Sequence, residues 1–266
     1  MCEPKPGSRR KEGWEGWDQY APFYDWENAR TIGRRDVQFW QQLAGRSRGP
    51  VLELGCGTGR VAVPVARTGA QVIGVDRSGP MLRRARQRAR RARVAGHLSL
   101  VRGDIRLLPF ARPGPFGLVM APYGILQSLL ADRDLTATLN AVASVLRPGG
   151  LFGIDLVADL PNWQEYRGER RLTGWRNGRR SHVTLIESVR QDRRRGLTIF
   201  EQEYIERRGR DRVARRFDLT FRTVSVPQMT ARLERAGFAV SAVLGDYDGS
   251  PWDKRAEVWL ILAERQ

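Results

Sequence analysis

Three glycines at alternating positions, Gly55, Gly57 and Gly59, follow an apolar run whose third residue is the acid Glu53, and Arg60 comes directly after them. Glycine adopts backbone turns that other residues resist, and its missing Cβ lets a ligand lie against the chain. A second apolar run, 71–76, closes on Asp76. This is about twenty residues beyond the glycines, the spacing at which a carboxylate meets both hydroxyls of a ribose. A third run begins at Leu98 and ends in Gly103-Asp104. Glycines that make room and carboxylates that accept hydrogen bonds are groups that can hold a nucleoside-like ligand, and the alternative reading of the same run is a glycine turn with no ligand. Dinucleotide-binding domains share such a turn, but in their G-x-G-x-x-G pattern the third glycine falls where this chain has Arg60. The chain has two cysteines, Cys2 and Cys56, and two histidines, His97 and His182, so neither a disulfide framework nor a metal site is supported.

The elements that must position these residues follow from periodicity. Residues 51–157 alternate apolar strand-like runs with helical segments, the pattern of a parallel sheet covered on both faces. Leu82, Ala85, Ala89 and Ala92 recur at helical spacing through the arginine-rich stretch 83–93. Residues 14–43 are rich in aromatics and are expected to form helices over the ligand mouth, whereas 1–13 are expected to be loose. Between 181 and 224 the period changes to two. Segments 182–189, 197–205 and 213–223 are strand-like, with Phe217, Leu219 and Phe221 alternating against Arg216, Asp218, Thr220 and Arg222. Ser225 and Gln228 fit a capping box that opens a helix through Arg235, which Gly237 ends. Runs 238–244 and 257–263 then supply two more strands. The expected organisation is an N-terminal aromatic-rich helical cap at 1–45, an α/β core at 46–160, an antiparallel β insertion at 161–224 and the remainder of the core at 225–266.

The run 51–60 resembles the first motif of the class I S-adenosylmethionine-dependent methyltransferases. Four further landmarks stand in that family's order: the strand ending in Asp76, the Gly103-Asp104-Ile105 turn, the fourth strand 116–123, and the helix-turn-strand 146–155. The resemblance implies an α/β fold with a Rossmann-like seven-stranded methyltransferase sheet, here carrying a small antiparallel β insertion, and S-adenosyl-L-methionine as cofactor. It places Glu53 toward the ligand's α-ammonium group, Gly55, Cys56, Gly57 and Gly59 in the turn, and Asp76 on the ribose. Arg77, Met81 and Ala121 would be further cofactor-binding positions, with Asp104 and the Ile105 amide at the adenine edge. Segments 20–24, 33–37 and 245–251 resemble parts of small-molecule methyltransferases, including amino-sugar and glycine N-methyltransferase-like groups. In that resemblance Tyr24 and Arg34 approach the methionine carboxylate.

Methyltransferases acting on planar nitrogens end their fourth strand in Asn/Asp-Pro-Pro-aromatic. This chain has Ala121-Pro-Tyr123, with Ala121 where the acceptor of a planar amino group would stand, which argues against adenine or glutamine methylation. The expected activity is methyl transfer to N or O of a small-molecule acceptor. Because a sulfonium donor is already activated, the protein mainly supplies orientation and solvent exclusion. Candidates for touching the acceptor are Tyr24, Tyr123 and His182, beside Asp246, Tyr247 and Asp248.

A net charge of +17 raises nucleic acid as a partner. The arginines are dispersed and no aromatics interleave the basic run, which argues against a nucleic-acid footprint. RNA or protein methylation and a non-catalytic cofactor-binding module stand as the alternatives. No apolar run approaches a membrane span. Residues 1–17 lack the apolar region of a signal peptide, so the expected location is cytoplasmic. The apolar row of the insertion must cover the active-site mouth as a lid or meet a second copy in a homodimer.

Overall fold

The computed structural model describes residues 16–31, 35–111, 114–157, 165–176, 178, 180–253 and 255–266. Two helices come first, α1 (Trp17–Thr31) and α2 (Arg35–Gly45). The core then alternates β1 (Val51–Leu54), α3 (Ala62–Ala66), β2 (Val72–Asp76), α4 (Gly79–Arg91), β3 (Leu98–Arg102), β4 (Phe116–Ala121), α5 (Asp132–Val145) and β5 (Leu146–Val157). Four strands follow: β6 (Tyr166–Arg176), β7 (Ser181–Asp192), β8 (Leu197–Arg208) and β9 (Asp211–Arg222). The chain closes with α6 (Val226–Arg235), β10 (Phe238–Leu244) and β11 (Val258–Arg265).

The main sheet has seven strands in the order β10-β11-β5-β4-β1-β2-β3, and β11 runs against its neighbours β5 and β10. The order reverses between β1 and β4, which pair in parallel, so the crevice at their carboxyl ends is the topological switch point where α/β sheets bind ligands. Every residue of β1 and β4 is buried, as expected of strands covered on both faces. Leu135, Leu139, Met229 and Leu233 of α5 and α6 pack on one face. Trp40 of α2, Val63 of α3 and Leu82 of α4 pack on the other. A Cβ on Gly153 would lie 2.9 Å from the Trp40 ring, so this glycine lets α2 lie close on β5. The aromatic segment therefore divides: α1 reaches the ligand mouth, whereas α2 belongs to the core behind the sheet. Local signals hold at α6, where Ser225 and Gln228 form the reciprocal capping box and Gly237 adopts φ +85° beyond the helix.

The second sheet is antiparallel with the order β6-β7-β8-β9. Three of its strands are legible as alternating runs, but β6 is not. It is an edge strand, largely exposed and interrupted by register shifts, so its arginine-rich sequence shows no clean alternation. The inner face carries Val183, Leu185, Tyr204, Phe217 and Leu219, which pack with Tyr20, Phe23 and Trp26 of α1 into a third core. The Phe23 and Tyr204 rings stack at 4.4 Å. The apolar row of β9 is thus covered within its own chain.

Candidate active site

A cavity of about 390 Å³ opens at the carboxyl ends of the central strands, within the range of small-molecule sites. Gly55 and Gly57 form part of its wall, with φ of +60° and +52°. A Cβ on Gly55 would strike Ile125 at 2.6 Å, whereas one on Gly57 would meet nothing nearer than the Gly55 carbonyl at 3.9 Å. Gly57 therefore faces open space. Gly59 serves a different end: a Cβ there would press on Val63 at 3.1 Å and Ala85 at 3.4 Å, so it lets the turn pack on α4 and lies off the cavity wall.

Asp76 stands at the end of β2 with its carboxylate braced by backbone amides, Oδ2 accepting from Gly57 at 2.8 Å and Oδ1 from Ser78 at 2.7 Å. Burial pushes its carboxyl up and these bonds offset part of the shift. Arg77, Met81, Asp104 and Ile105 also line the cavity. Asp104 is held by Arg106 at 2.8 Å and Arg77 at 3.3 Å. Partial burial would raise its carboxyl, but the Arg106 bonds and the two positive charges hold it below the usual range.

Other expected residues stand behind the wall. Cys56 is buried with Sγ directed at β2, where a Cβ on Gly74 would lie 2.8 Å from it, and burial keeps the thiol protonated. Ala121 is fully buried, and the wall continues instead with Pro122 and Tyr123. Glu53 is 2% exposed and its Oε2 has no hydrogen-bond partner. Burial raises the Glu53 carboxyl to about 8 despite the attraction of Arg60. Arg34 lies outside the described residues.

Arg60, noted in the sequence only for not being glycine, sits at the centre of this region. Its Nη2 pairs with Asp36 at 2.6 Å, and its guanidinium lies 5.2 Å from the centre of the Tyr123 ring. Tyr123 has φ +62°, rare for a residue with a Cβ. Asp155 anchors the turn beside it, accepting from the Gly124 amide at 2.8 Å and from the Tyr247 hydroxyl at 2.8 Å. Tyr247 thus supports the site from behind, while Asp246 pairs with Arg35 at 3.8 Å and Asp248 accepts from the Ser250 amide.

Helix α1 roofs the cavity. Asp25 ties it down, accepting from Thr58 Oγ1 at 2.6 Å and from Arg88 Nη2 at 2.7 Å. Beyond the roof a second cavity of about 310 Å³ lies between α1, the turn after β4 and the inner face of the small sheet. Trp17, Tyr24, Tyr123 and Phe221 line both cavities. Burial raises the Tyr24 hydroxyl to about 12, against the pull of Arg60. His182 lines neither: it lies against the Trp175 ring at 5.2 Å, near Thr173 on the exposed side of the sheet.

The second cavity contains polar residues that sequence reasoning missed, namely Glu27, Glu187 and Gln202. A signal for one was present. Val183, Leu185, Glu187 and Val189 share one face of β7, so the acid falls on the apolar side of an alternating strand.

A sheet with one reversed strand, a glycine turn at the switch point and acids closing the next two turns defines a Rossmann-like methyltransferase fold. Residues 51–150 match the family model described as methyltransferase domain. The cypemycin N-terminal methyltransferase of a Streptomyces species is 29% identical over 230 residues, covering 86% of this chain and 87% of that protein. Residues 51–150 thus carry a methyltransferase domain, and the family model, this relative and the fold together support a class I S-adenosylmethionine-dependent methyltransferase, a family whose cofactor is S-adenosyl-L-methionine. The CcbJ methyltransferase from Streptomyces caelestis superposes with a TM-score of 0.76 at 22% identity, covering 93% of this chain and 96% of that one. CalS10, an amino pentose methyltransferase from Micromonospora echinaspora solved with S-adenosylmethionine bound, superposes at 0.62 and 18% identity, covering 95% and 93%. Among the described residues no helix is long and apolar enough to cross a membrane.

Proposed function

We propose that the protein transfers a methyl group from S-adenosylmethionine to a nitrogen or oxygen of a small-molecule acceptor held in the second cavity. The observation that carries this reading is the shared wall: two cavities of small-molecule size meet at Trp17, Tyr24, Tyr123 and Phe221. The name of CalS10, an amino pentose methyltransferase, supports a compact acceptor, and that of the cypemycin enzyme, an N-terminal methyltransferase, supports nitrogen as the atom methylated.

The first cavity fits the cofactor on two observations. Glu53 Oε2 is buried without a partner, and Gly57 leaves open the space a side chain would fill. In this reading Asp76 accepts from the ribose hydroxyls, Asp104 and the Ile105 amide meet the adenine, and Glu53 lies behind the turn toward the ammonium group. The backbone of Gly55, Cys56 and Gly57 lies along the ligand. Arg77 and Met81 flank it, Tyr24 closes it from α1, and Gly59 and Ala121 act through packing. The bound cofactor supplies an electrophilic methyl group. The chain's own residues orient the acceptor, and the aromatic walls exclude water. The small sheet acts as a lid on the acceptor chamber, a role that covers its apolar row without a second subunit.

Incubating the enzyme with cell extract and isotope-labelled S-adenosylmethionine, followed by mass spectrometry, should show label in a small metabolite. Label confined to RNA or protein would replace this reading.

A further inference from the structure

The second cavity contains an acidic pair that cofactor binding does not use. We infer that Glu27 and Glu187, bridged by Gln202, seat the acceptor as a protonated amine, and that Glu27 receives its proton before methyl transfer. This rests on reading the second cavity as the acceptor chamber.

The two acids approach from different elements, Glu27 from α1 and Glu187 from β7. Gln202 Nε2 donates to both, at 3.2 Å to Glu27 Oε1 and 2.7 Å to Glu187 Oε2. Tyr20 and Tyr204 donate their hydroxyls to Glu27 Oε2, and Tyr166 donates to Glu187 Oε1 at 2.5 Å. Among the described residues, the donors to Glu27 are therefore neutral. The cation beside Glu187 is Arg171 at 3.8 Å, on a half-exposed side chain of the edge strand. Arg222, also on the cavity wall, pairs through Nη2 with Asp132 at 2.5 Å, while among the described residues its Nε and Nη1 are buried without a partner and it makes no ion pair with either acid.

Neutral hydrogen bonds orient a carboxylate pair without cancelling its charge, and uncompensated charge away from water is costly. A hydroxyl acceptor would leave that charge in place, whereas an ammonium group cancels it. The aromatic rings of Trp17, Tyr24 and Phe221 add faces that attract a cation. Burial also raises the Glu27 carboxyl, against the pull of the two tyrosine hydroxyls, which makes it a better proton acceptor than a solvated glutamate.

The step balances on these groups. An ammonium nitrogen has no lone pair, so an N–H bond breaks first and its proton goes to the Glu27 carboxylate, leaving the electron pair on nitrogen. That pair forms the N–C bond as the methyl C–S bond breaks, and the electrons of the C–S bond remain on sulfur as a neutral thioether. The product is a methylated ammonium ion, and Glu27 returns its proton to water when the product leaves.

The test uses the full-length protein, labelled S-adenosylmethionine and a panel of primary amines, including amino sugars and short peptides, each matched with the alcohol of the same skeleton. Label should enter amines alone. Glu27→Gln should lower transfer to the best amine by about a hundredfold or more. In calorimetry on protein loaded with S-adenosylhomocysteine it should also weaken binding of that amine roughly tenfold, a loss of about 1.4 kcal/mol. Affinity for S-adenosylhomocysteine itself should stay unchanged. Glu187→Gln, which keeps the proton acceptor but removes part of the charge that seats the ammonium group, should raise the amine KM by a larger factor than it lowers kcat. Label in alcohols alone, no labelled amine from a protein that binds S-adenosylhomocysteine, or wild-type rate and amine affinity in both variants would each overturn the inference. Failure of the wild type to bind S-adenosylhomocysteine would instead overturn the cofactor reading beneath it.

Discussion

Glu53 is a carboxyl kept out of water with one oxygen unpartnered, and that condition has a measurable pH signature. Folded, it titrates at about 8, against an ordinary value of 4.5. Between those limits the unfolded chain binds fewer protons than the folded one, so Glu53 lowers stability progressively as pH rises from about 4.5 to about 8. Glu53→Gln removes the ionisation. The ligand-free variant should lose less melting temperature than wild type between pH 5 and pH 8, while its affinity for S-adenosylhomocysteine falls. Parallel losses in the two proteins would show that Glu53 is not the group responsible. Asp76 makes a second test. Asp76→Ala removes the proposed ribose partner and should weaken S-adenosylhomocysteine binding by about 1.5 to 3 kcal/mol. Unchanged affinity by calorimetry would place the ribose elsewhere.

At the scale of elements, α1 is both roof and partition, and Asp25 fixes it by reaching Thr58 beyond the glycine turn and Arg88 on α4. Asp25→Ala removes charge-assisted bonds and should cost about 1.5 to 3 kcal/mol in denaturant unfolding. It should also weaken cofactor and acceptor binding together. Loss of stability with both affinities intact would separate the tie from the site. The strands around the glycine turn were legible in sequence because each is an apolar run closed by an acid or a Gly-Asp turn. The capping box of α6 was legible because Ser225 and Gln228 act within one turn. The second cavity was not, because its geometry is made by distant contacts. Gln202 lies 175 positions from Glu27, and only the small sheet turns the charged side of α1 into an interior. In sequence α1 shows little amphipathic order, with Pro22 inside it and charges among its aromatics, so Glu27 reads as solvated. Strand β6 was hidden for the complementary reason: an exposed edge needs no apolar face.

For the whole molecule, the excess of 17 positive charges finds no single purpose in the fold. Several arginines are spent on pairs within the small sheet, such as Arg190 with Glu201 at 3.1 Å and Arg216 with Glu203 at 3.0 Å. Binding to generic RNA should accordingly be weak, indifferent to sequence and steeply reduced by salt. Filter binding at 50 and 200 mM salt tests this, and tight sequence-selective retention at the higher salt would make RNA a functional partner. The partition between the cavities has a kinetic consequence. Trp17, Tyr24, Tyr123 and Phe221 each line both cavities, so in the proposed reading whichever ligand arrives first sets the shape the second must accept. Binding free energies are reciprocal: the factor by which the donor changes acceptor affinity is the factor by which the acceptor changes donor affinity. Two-substrate initial-rate plots should therefore intersect off both axes, because each substrate's saturation curve depends on the concentration of the other.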